Sequence, residues 1–445
     1  MKKKLLYLFS FFSIICYSQW TSQSTGFSST STGVEDINIV DANTVWALGY
    51  DGSSSTPANY QLFTRTSDGG ASWTSGSINV GNINLELTNI SPVSATTAWV
   101  GAVSPTNGMG GVWKTSNGGT TWVQQNATAY TNPSSFFNVV HFFDANIGIT
   151  QGDPITATDF EVYRTTNGGT TWTAVPAASL PNIISGEYGY NGGNVAAGNS
   201  FWFVTNMGKL YRTTDMGVTW TKLNTPISDF SGTNVGGSIY FSDDNTGVLL
   251  ARSGPVATAT YTLYTTSNGG STWSAGTPYT HPYRSLSFIP GTTILVGTAS
   301  DNDTATYSSA YSTDLGASWV NIDSGVQRTG IKFLNGTTGW AGGFTTSVIA
   351  DGIYKYTGAN LKSDSFLALK FNIYPNPVNN IISINSDNLI FDSVSLTDIN
   401  GRIIKEMDTN SVMNYSFNVS DLNSGIYFLK IKTSEGVLDK KIIKN

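Results

Sequence analysis

The sequence predicts an all-β protein, a seven-bladed β-propeller followed by a small C-terminal β-sandwich. A seven-residue turn motif recurs six times at an even spacing, and one more tryptophan near the N terminus fits that spacing. Residues 371–445 follow a different pattern of alternating strands. The chain also contains 47 glycines and only 12% charged residues, which suits many short strands joined by tight turns.

The turn motif begins with a hydroxyl residue, then Asp or Asn, any residue, Gly, any residue, Ser or Thr, and Trp. The Asp or Asn side chain can accept hydrogen bonds from the backbone N–H groups that follow it, and Gly supplies a positive φ. The Trp then starts the next strand with a large surface to bury. The six copies contain Asp68 and Trp73, Asn117 and Trp122, Asn167 and Trp172, Asp215 and Trp220, Asn268 and Trp273, and Asp314 and Trp319.

The spacing of these tryptophans, 46 to 53 residues, is typical of a repeat of four-stranded blades. Trp20 precedes Trp73 by 53 residues and therefore fits the series. The unit after Trp319 offers three strands and no motif of its own. We therefore expect the N-terminal strand at Trp20 to complete this last blade, which closes the ring and removes free sheet edges.

The motif is similar to the Asp-box (BNR) repeat of sialidases, sortilin-type receptors, xyloglucanases and the photosystem II assembly/stability-factor-like propellers. Six copies in register carry this resemblance, and they cover the propeller as a whole. The resemblance implies a β-propeller that serves either as a binding module or as a glycosidase.

The two ends of the chain predict export. Residues 1–18 combine a basic start, an apolar run too short to span a bilayer and a small-residue cleavage site, as a signal peptide does. We expect the propeller at residues 19–360 and a linker at 361–370, with no transmembrane anchor in the mature chain. The single cysteine, Cys16, lies in the leader, where the bulky Ile15 before it disfavours lipidation, so the mature chain offers no disulfide.

Residues 371–445 resemble the type A C-terminal sorting domain of the Bacteroidetes type IX (Por) secretion system. The Tyr-Pro-Asn-Pro start at 374–377, the Asp-x-x-Gly-Arg turn at 398–402 and the Gly-x-Tyr-x-x-Lys strand at 425–430 carry this resemblance. It implies the type IX machinery as a partner and a secreted or outer-surface location. A carbohydrate-binding or adhesion sandwich is the alternative.

Composition disfavours several functions. The net charge is −6 without a basic stripe, which argues against nucleic acid as a partner. His141 and His281 are the only histidines, so zinc sites and Ser-His-Asp catalysis are not expected. The sequence predicts neither a metal nor a cofactor.

Polar residues at the start of each innermost strand are the first candidates for a ligand site, because they should face the mouth of the central channel. Acids fall in the early blades and arginines in the late ones, so ring closure would bring opposite charges together. The alternative is that the arginines pair with the acids as a closure latch. These candidates are Asp36, Glu86, Asn138, Asn191, Ser238, Arg284 and Arg328.

A second candidate group combines aromatic residues and acids near the fourth blade, a region that resembles a bacterial subgroup of the stability-factor-like propellers. Glu187, Tyr188 and Tyr190, with Asp153 in the preceding unit, could form a sugar platform or a packed loop. The repeated Asp and Asn residues of the turn motif are interpreted as structural. Four basic residues at one repeat position are also interpreted as structural. We expect their aliphatic parts to pack on neighbouring strands and their charged groups to face solvent. They are Arg65, Lys114, Arg164 and Arg212.

These observations favour a binding or scaffolding module for a glycan or a surface protein. A glycoside hydrolase of sialidase-like or xyloglucanase-like type is the alternative, and a periplasmic assembly factor is a weaker one. A hydrolase would need a pair of carboxylates from among Asp36, Glu86, Asp153 and Glu187. The chain lacks the Phe-Arg-Ile-Pro segment and a recognisable arginine triad of sialidases, and it has a single propeller where xyloglucanases of this repeat type have two.

Overall fold

The computed structural model describes residues 19–53, 59–125, 129–299, 306–347, 350–358, 360–361, 371–386, 390–399, 401–433 and 436–445. Within these residues the regular secondary structure is β-strand, apart from two 3-10 helices of three residues each at Ala177–Ser179 and Val256–Thr258. The predicted signal peptide at 1–18 and nearly all of the predicted linker at 361–370 lie outside the described residues. No helix among the described residues is long and apolar enough to cross a membrane.

The propeller strands, grouped by blade in chain order after the N-terminal strand, are β1 (Trp20–Ser24); β2 (Thr32–Ile39), β3 (Val45–Asp51), β4 (Leu62–Thr66) and β5 (Thr74–Ser77); β6 (Glu86–Pro92), β7 (Ala98–Val103), β8 (Gly110–Thr115) and β9 (Val123–Gln124); β10 (Phe137–Phe142), β11 (Gly148–Gly152), β12 (Glu161–Thr165) and β13 (Thr173–Ala174); β14 (Gly189–Ala197), β15 (Ser200–Thr205), β16 (Lys209–Thr213) and β17 (Thr221–Asn224); β18 (Val235–Phe241), β19 (Gly247–Ser253), β20 (Thr260–Thr266) and β21 (Thr277–Pro278); β22 (Ser285–Phe288), β23 (Leu295–Ala299), β24 (Ser308–Ser312) and β25 (Val320–Ser324); and β26 (Ile331–Asn335), β27 (Thr338–Ser347) and β28 (Ala350–Tyr356).

These strands form seven antiparallel blades, as predicted. Blades 2 to 6 are separate four-stranded sheets, whereas blades 1 and 7 share one eight-stranded sheet through a single residue pair, Gly33 with Phe344. The first strand of every blade contacts the first strand of the next, and β26 contacts β2. The ring is therefore closed around a channel lined by the seven first strands.

The N-terminal strand closes the last blade. β1 pairs with β28 in antiparallel register, with Trp20 opposite Tyr356. The Trp20 side chain is buried between blades 6 and 7, where its Nε1 donates to Ser309 Oγ at 2.9 Å and its ring packs edge-on against Phe333. The predicted closure by the segment around Trp20 is confirmed.

The turn motif is held by a hydroxyl group two residues before its Asp or Asn. In the first copy Thr66 Oγ1 donates to Asp68 Oδ1 at 2.7 Å and accepts from Gly70 N at 2.9 Å, while Asp68 also accepts from Ser72 N at 2.9 Å. All six copies repeat this arrangement around a buried threonine or serine. The motif as defined from the sequence starts one residue after this hydroxyl residue and therefore does not include it.

Basic side chains in repeat register join five of the seven blades to the next blade. Arg65 Nε donates to Gly118 O at 3.0 Å, Lys114 Nζ to Gly168 O at 3.0 Å, and Arg164 Nε to Met216 O at 2.8 Å. Arg212 bonds to the motif of blade 5 in the same way, and Lys355 of blade 7 donates to Gly69 O of blade 1 at 2.6 Å. The expectation that these charged ends point to solvent was therefore wrong, because carbonyl groups of the neighbouring turn bind them.

Residues 371–445 form a two-sheet β-sandwich, as predicted. Its core contains apolar side chains from both sheets, among them Ile382, Phe391 and Leu429. The strands are β29 (Phe371–Tyr374), β30 (Ile381–Ser386), β31 (Phe391–Thr397), β32 (Ile403–Val412), β33 (Asn414–Asn418), β34 (Gly425–Thr433) and β35 (Gly436–Lys444). One sheet has the order β29-β30-β33 and the other β32-β31-β34-β35.

Candidate functional site: the central channel

The candidate site is a cavity of about 640 Å³ in the central channel, here called the channel cavity. The first strands of blades 1 to 4 and of blade 7 form its wall, so side chains distant in sequence meet there. Its polar side chains are Glu35, Asp36, Asn38, Glu86, Thr88, Asn89, His141, Asn191, Asn194 and Lys332.

A bulge in β2 brings two consecutive acids into this cavity. Neighbouring side chains of a regular strand point to opposite faces. The pairing of β2 with β3 shifts between Glu35 and Asn38, and Asp36 has a φ of +45°, in the left-handed region. Such bulges redirect side chains and are common beside functional sites. Glu35 and Asp36 both line the channel cavity as a result.

The Asp36 carboxylate is fixed across the joint between blades 1 and 2. Its Oδ2 accepts from Ile90 N at 2.6 Å, and its Oδ1 accepts from Asn38 Nδ2 at 2.9 Å. Burial within the channel raises the pKa of Asp36, and these hydrogen bonds and the charge of Lys332 partly offset the rise. Burial, together with the charge of Asp36, raises the pKa of Glu35 from 4.5 to about 7. Glu35 therefore changes its charge near neutral pH.

Two basic groups of the cavity were missed as site residues in the sequence. Lys332 lies between the buried apolar side chains of Ile331 and Phe333 on β26, and burial lowers its pKa. His141 lies on β10 with its ring against Phe201, and burial lowers its pKa to about 4, so it is neutral at pH 7. The signal for Lys332 was available, because a polar residue between two apolar ones on an innermost strand should face the channel.

Three of the predicted ligand residues line the channel cavity together, namely Asp36, Glu86 and Asn191. Ser238 lines an adjoining cavity of about 340 Å³, which Asp36 and Lys332 also border. Asn191 lies in a stretch of β14 where the pairing with β15 shifts between Gly189 and Asn194. The structure thus places the acids of the early blades on one wall of the channel.

Asn138 and Asp153 instead bond to each other beside the fourth blade. Asn138 is buried, and its Nδ2 donates to Asp153 Oδ1 at 2.8 Å, which also accepts from Gly189 N at 2.9 Å. A β-carbon at Gly189 would lie 2.9 Å from the Asn138 amide, so the glycine allows this close approach. Burial raises the pKa of Asp153. The pair fixes the start of β14 and does not line the channel cavity.

Glu187 is a buried structural carboxylate, so its candidacy as a catalytic acid is corrected. Its Oε1 accepts from Thr205 Oγ1 at 2.8 Å, and its Oε2 accepts from Tyr211 OH at 3.0 Å and from Ile184 N at 2.8 Å. With 3% exposure and three donors, it anchors the loop within blade 4 and has no access to a ligand.

Tyr188 and Tyr190 form an edge-to-face pair next to Asn191, with ring centroids 5.5 Å apart. Tyr190 OH donates to Asp229 Oδ1 at 2.8 Å, which fixes its ring. Tyr188 is 44% exposed and so presents an open aromatic surface. Tyr190 therefore packs within the loop, whereas the ring of Tyr188 is accessible to a ligand.

Neither predicted arginine projects into the channel cavity, so this part of the interpretation is corrected. Arg328 is 1% exposed and makes a two-point ion pair with Asp323, at 2.9 and 2.6 Å. Arg284 stacks on the ring of Tyr261, with 3.8 Å from its Cζ to the ring centroid, and donates to the His281 carbonyl. The suggested latch to Asp36 and Glu86 is likewise absent, because Arg328 pairs with Asp323 instead.

The fold and the C-terminal domain together define an exported β-propeller protein. Residues 372–445 match the family described as secretion system C-terminal sorting domain, which indicates export by the type IX (Por) system to the cell surface or beyond. No curated protein matches the chain.

Solved structures similar to this chain are also β-propellers. YCF48 from Cyanidioschyzon merolae is 18% identical over 76% of this chain and 98% of its own, with a TM-score of 0.50. YCF48 bound to D1 peptide is 14% identical over 78% and 99%, with a TM-score of 0.49. The GH74 enzyme of Niastella koreensis is 14% identical over 92% and 65%, with a TM-score of 0.45. At these identities the similarity concerns the fold alone.

Proposed function

We propose that the propeller is an exported binding module that holds a glycan in the channel cavity. The observation that carries this proposal is a polar cavity of about 640 Å³, within the range of small-ligand sites, built from five blades. Sugar hydroxyl groups are bound by carboxylates and amides that accept and donate hydrogen bonds, and such groups dominate this wall. A protein ligand that relies on apolar anchors would find few pockets here.

The carboxylates of Glu35 and Glu86 are available to such a ligand. Neither makes a hydrogen bond or an ion pair within the part of the chain that the structure describes. The exposed ring of Tyr188, three residues before Asn191, could stack against a sugar face. The two carboxylates support recognition of hydroxyl-rich ligands at the cavity, and Tyr188 lies close in sequence to its lining residue Asn191.

A glycan array probed with the full exported chain tests this function. We expect Glu86→Gln and Asn191→Ala to weaken binding about tenfold or more, since each removes a hydrogen bond to the ligand. Asp244→Asn is the matched control, because Asp244 is exposed and lies outside the cavity. An array without bound glycans, or binding that both cavity variants retain, would refute the proposal.

Glycoside hydrolysis is the second candidate, favoured by one specific observation. A carboxyl group with a pKa near 7 suits a general acid, and Glu35 lies in the same cavity as Asp36 and Glu86. Turnover of fluorogenic xyloglucan-type and sialoside substrates, lost in Glu35→Gln and in Glu86→Gln, is the expected result for a hydrolase. Glycan binding without turnover assigns the site to binding alone.

A further inference from the structure

Lys332 lies where three cavities of the channel adjoin. It lines the channel cavity and also cavities of about 340 and 250 Å³. Its neighbours on β26, Ile331 and Phe333, are buried in the opposite direction, so the strand alternation directs Lys332 into the channel. No other lysine or arginine lines any of these three cavities.

The ammonium group of Lys332 makes no hydrogen bond or ion pair with the residues that the structure describes. The charge of Asp36 raises the pKa of Lys332, but the two carboxylate oxygens of Asp36 accept hydrogen bonds from Ile90 N and Asn38 Nδ2. Lys332 is exposed to the solvent of the channel, and the enclosing walls of the channel lower the pKa of its ammonium group. Because this ammonium group faces the channel solvent without a partner among the described residues, it can bind an anion that enters the channel.

Two hydroxyl groups accompany Lys332 in the 340 Å³ cavity. Ser238 on β18 and Ser285 on β22 line it together with the glycine backbone at Gly237 and Gly330. A hydroxyl hydrogen rotates to suit its acceptor, so each serine can donate to an anion. Glu35 and Glu86 line only the channel cavity, so their repulsion is weaker here.

We propose that Lys332, Ser238 and Ser285 form a subsite for one carboxylate group of the ligand. This inference rests on the proposed function and assigns the glycan to the acidic sugars. A single cation beside Asp36 suits one negative charge, because a second charge on the ligand would be repelled by that carboxylate. The hydroxyl groups of the same sugar then reach the acids and amides of the channel cavity.

Titration calorimetry on the full chain with D-glucuronate and D-glucose tests this subsite. The two sugars share one ring, and only the first carries a carboxylate. We expect glucuronate to bind about 10- to 100-fold more tightly than glucose, the usual effect of a hydrogen bond to a charged group. Lys332→Met and Lys332→Gln should abolish this preference, whereas Lys209→Met, on the outer part of blade 4, should retain it.

The outcomes separate this inference from the proposed function. Equal affinities for the two sugars in the unaltered chain overturn the subsite and need no variant, so a misfolded variant does not obscure the result. A preference that survives Lys332→Gln, with an unchanged melting temperature, also overturns it. If neither sugar binds, the subsite is overturned, while the glycan array decides the proposed function independently.

Discussion

The buried ion pair at the joint between blades 6 and 7 gives the sharpest test of the closed ring. Arg328 is 1% exposed and Asp323 is 18% exposed, and two hydrogen bonds join them. Asp323 also accepts from Ser309 Oγ at 2.5 Å, and that hydroxyl in turn accepts from Trp20 Nε1. The pair is therefore part of the network that holds β1 in the last blade.

Asp323→Ala should destabilise the propeller by about 3–5 kcal/mol, because it leaves the Arg328 guanidinium buried and unpaired. Its Nε already has no partner in the described structure, so little hydrogen bonding remains after the substitution. Arg328→Met should cost less, since Asp323 retains some access to water. The double variant Arg328→Met with Asp323→Leu should recover most of the loss, as buried pairs replaced by apolar residues often do.

Denaturant unfolding followed by tryptophan fluorescence measures these differences, since the tryptophans of the turn motif report on the folding of the blades. Asp244→Asn, an exposed acid without a side-chain hydrogen bond in the described part of the chain, should change the unfolding free energy by less than about 0.5 kcal/mol. A cost below about 1 kcal/mol for Asp323→Ala would refute the reasoning, because the value would match that of a solvated pair.

Three further perturbations follow from the same structure. Trp20→Ala should cost about 3–5 kcal/mol of unfolding free energy, as for other buried aromatic side chains, and a cost near zero would contradict closure by β1. Thr213→Val should cost about 1–3 kcal/mol, because Gly217 N and Asp215 Oδ1 lose their partner, whereas Thr173→Val on an exposed outer strand serves as control. The pKa of Glu35 is higher in the folded state, about 7 against 4.5, so its contribution to stability is present below pH 4.5 and lost as pH rises through 7. The drop in melting temperature between pH 4.5 and 8 should therefore be smaller for Glu35→Gln than for the unaltered chain, whereas Glu86→Gln should follow the unaltered chain more closely. Identical drops for Glu35→Gln and the unaltered chain would contradict this assignment.

The architecture could be predicted from the sequence because each repeat carries its own local instructions. The turn motif fixes a hairpin through side chains four residues apart, and its even spacing identified the blades and the closing strand at Trp20. The two-sheet sandwich followed from the alternating strands of residues 371–445 in the same way. Local chemistry of this kind is readable without knowledge of the tertiary structure.

The site could be predicted only in part, because it depends on backbone irregularities and on partners in other blades. Glu35 reaches the cavity through a bulge at Asp36 that no sequence pattern signals. Arg328 looked equivalent to the other strand-start residues, but the carboxylate of Asp323 five residues earlier binds it away from the channel. Glu187 looked like a free acid until Tyr211 and Thr205 proved to surround it.

The bonds from Arg65, Lys114, Arg164, Arg212 and Lys355 all run in one rotational sense, from the blade that carries the base to the turn of the following blade. Blades 1 to 4 and blade 7 therefore each present a donor side and an acceptor side, as subunits of a head-to-tail cyclic oligomer do. A fragment of two or three of blades 1 to 4 would expose one unmatched side of each kind. Such fragments should associate with one another, and pieces cut from the same gene could reassemble the circle from separate chains.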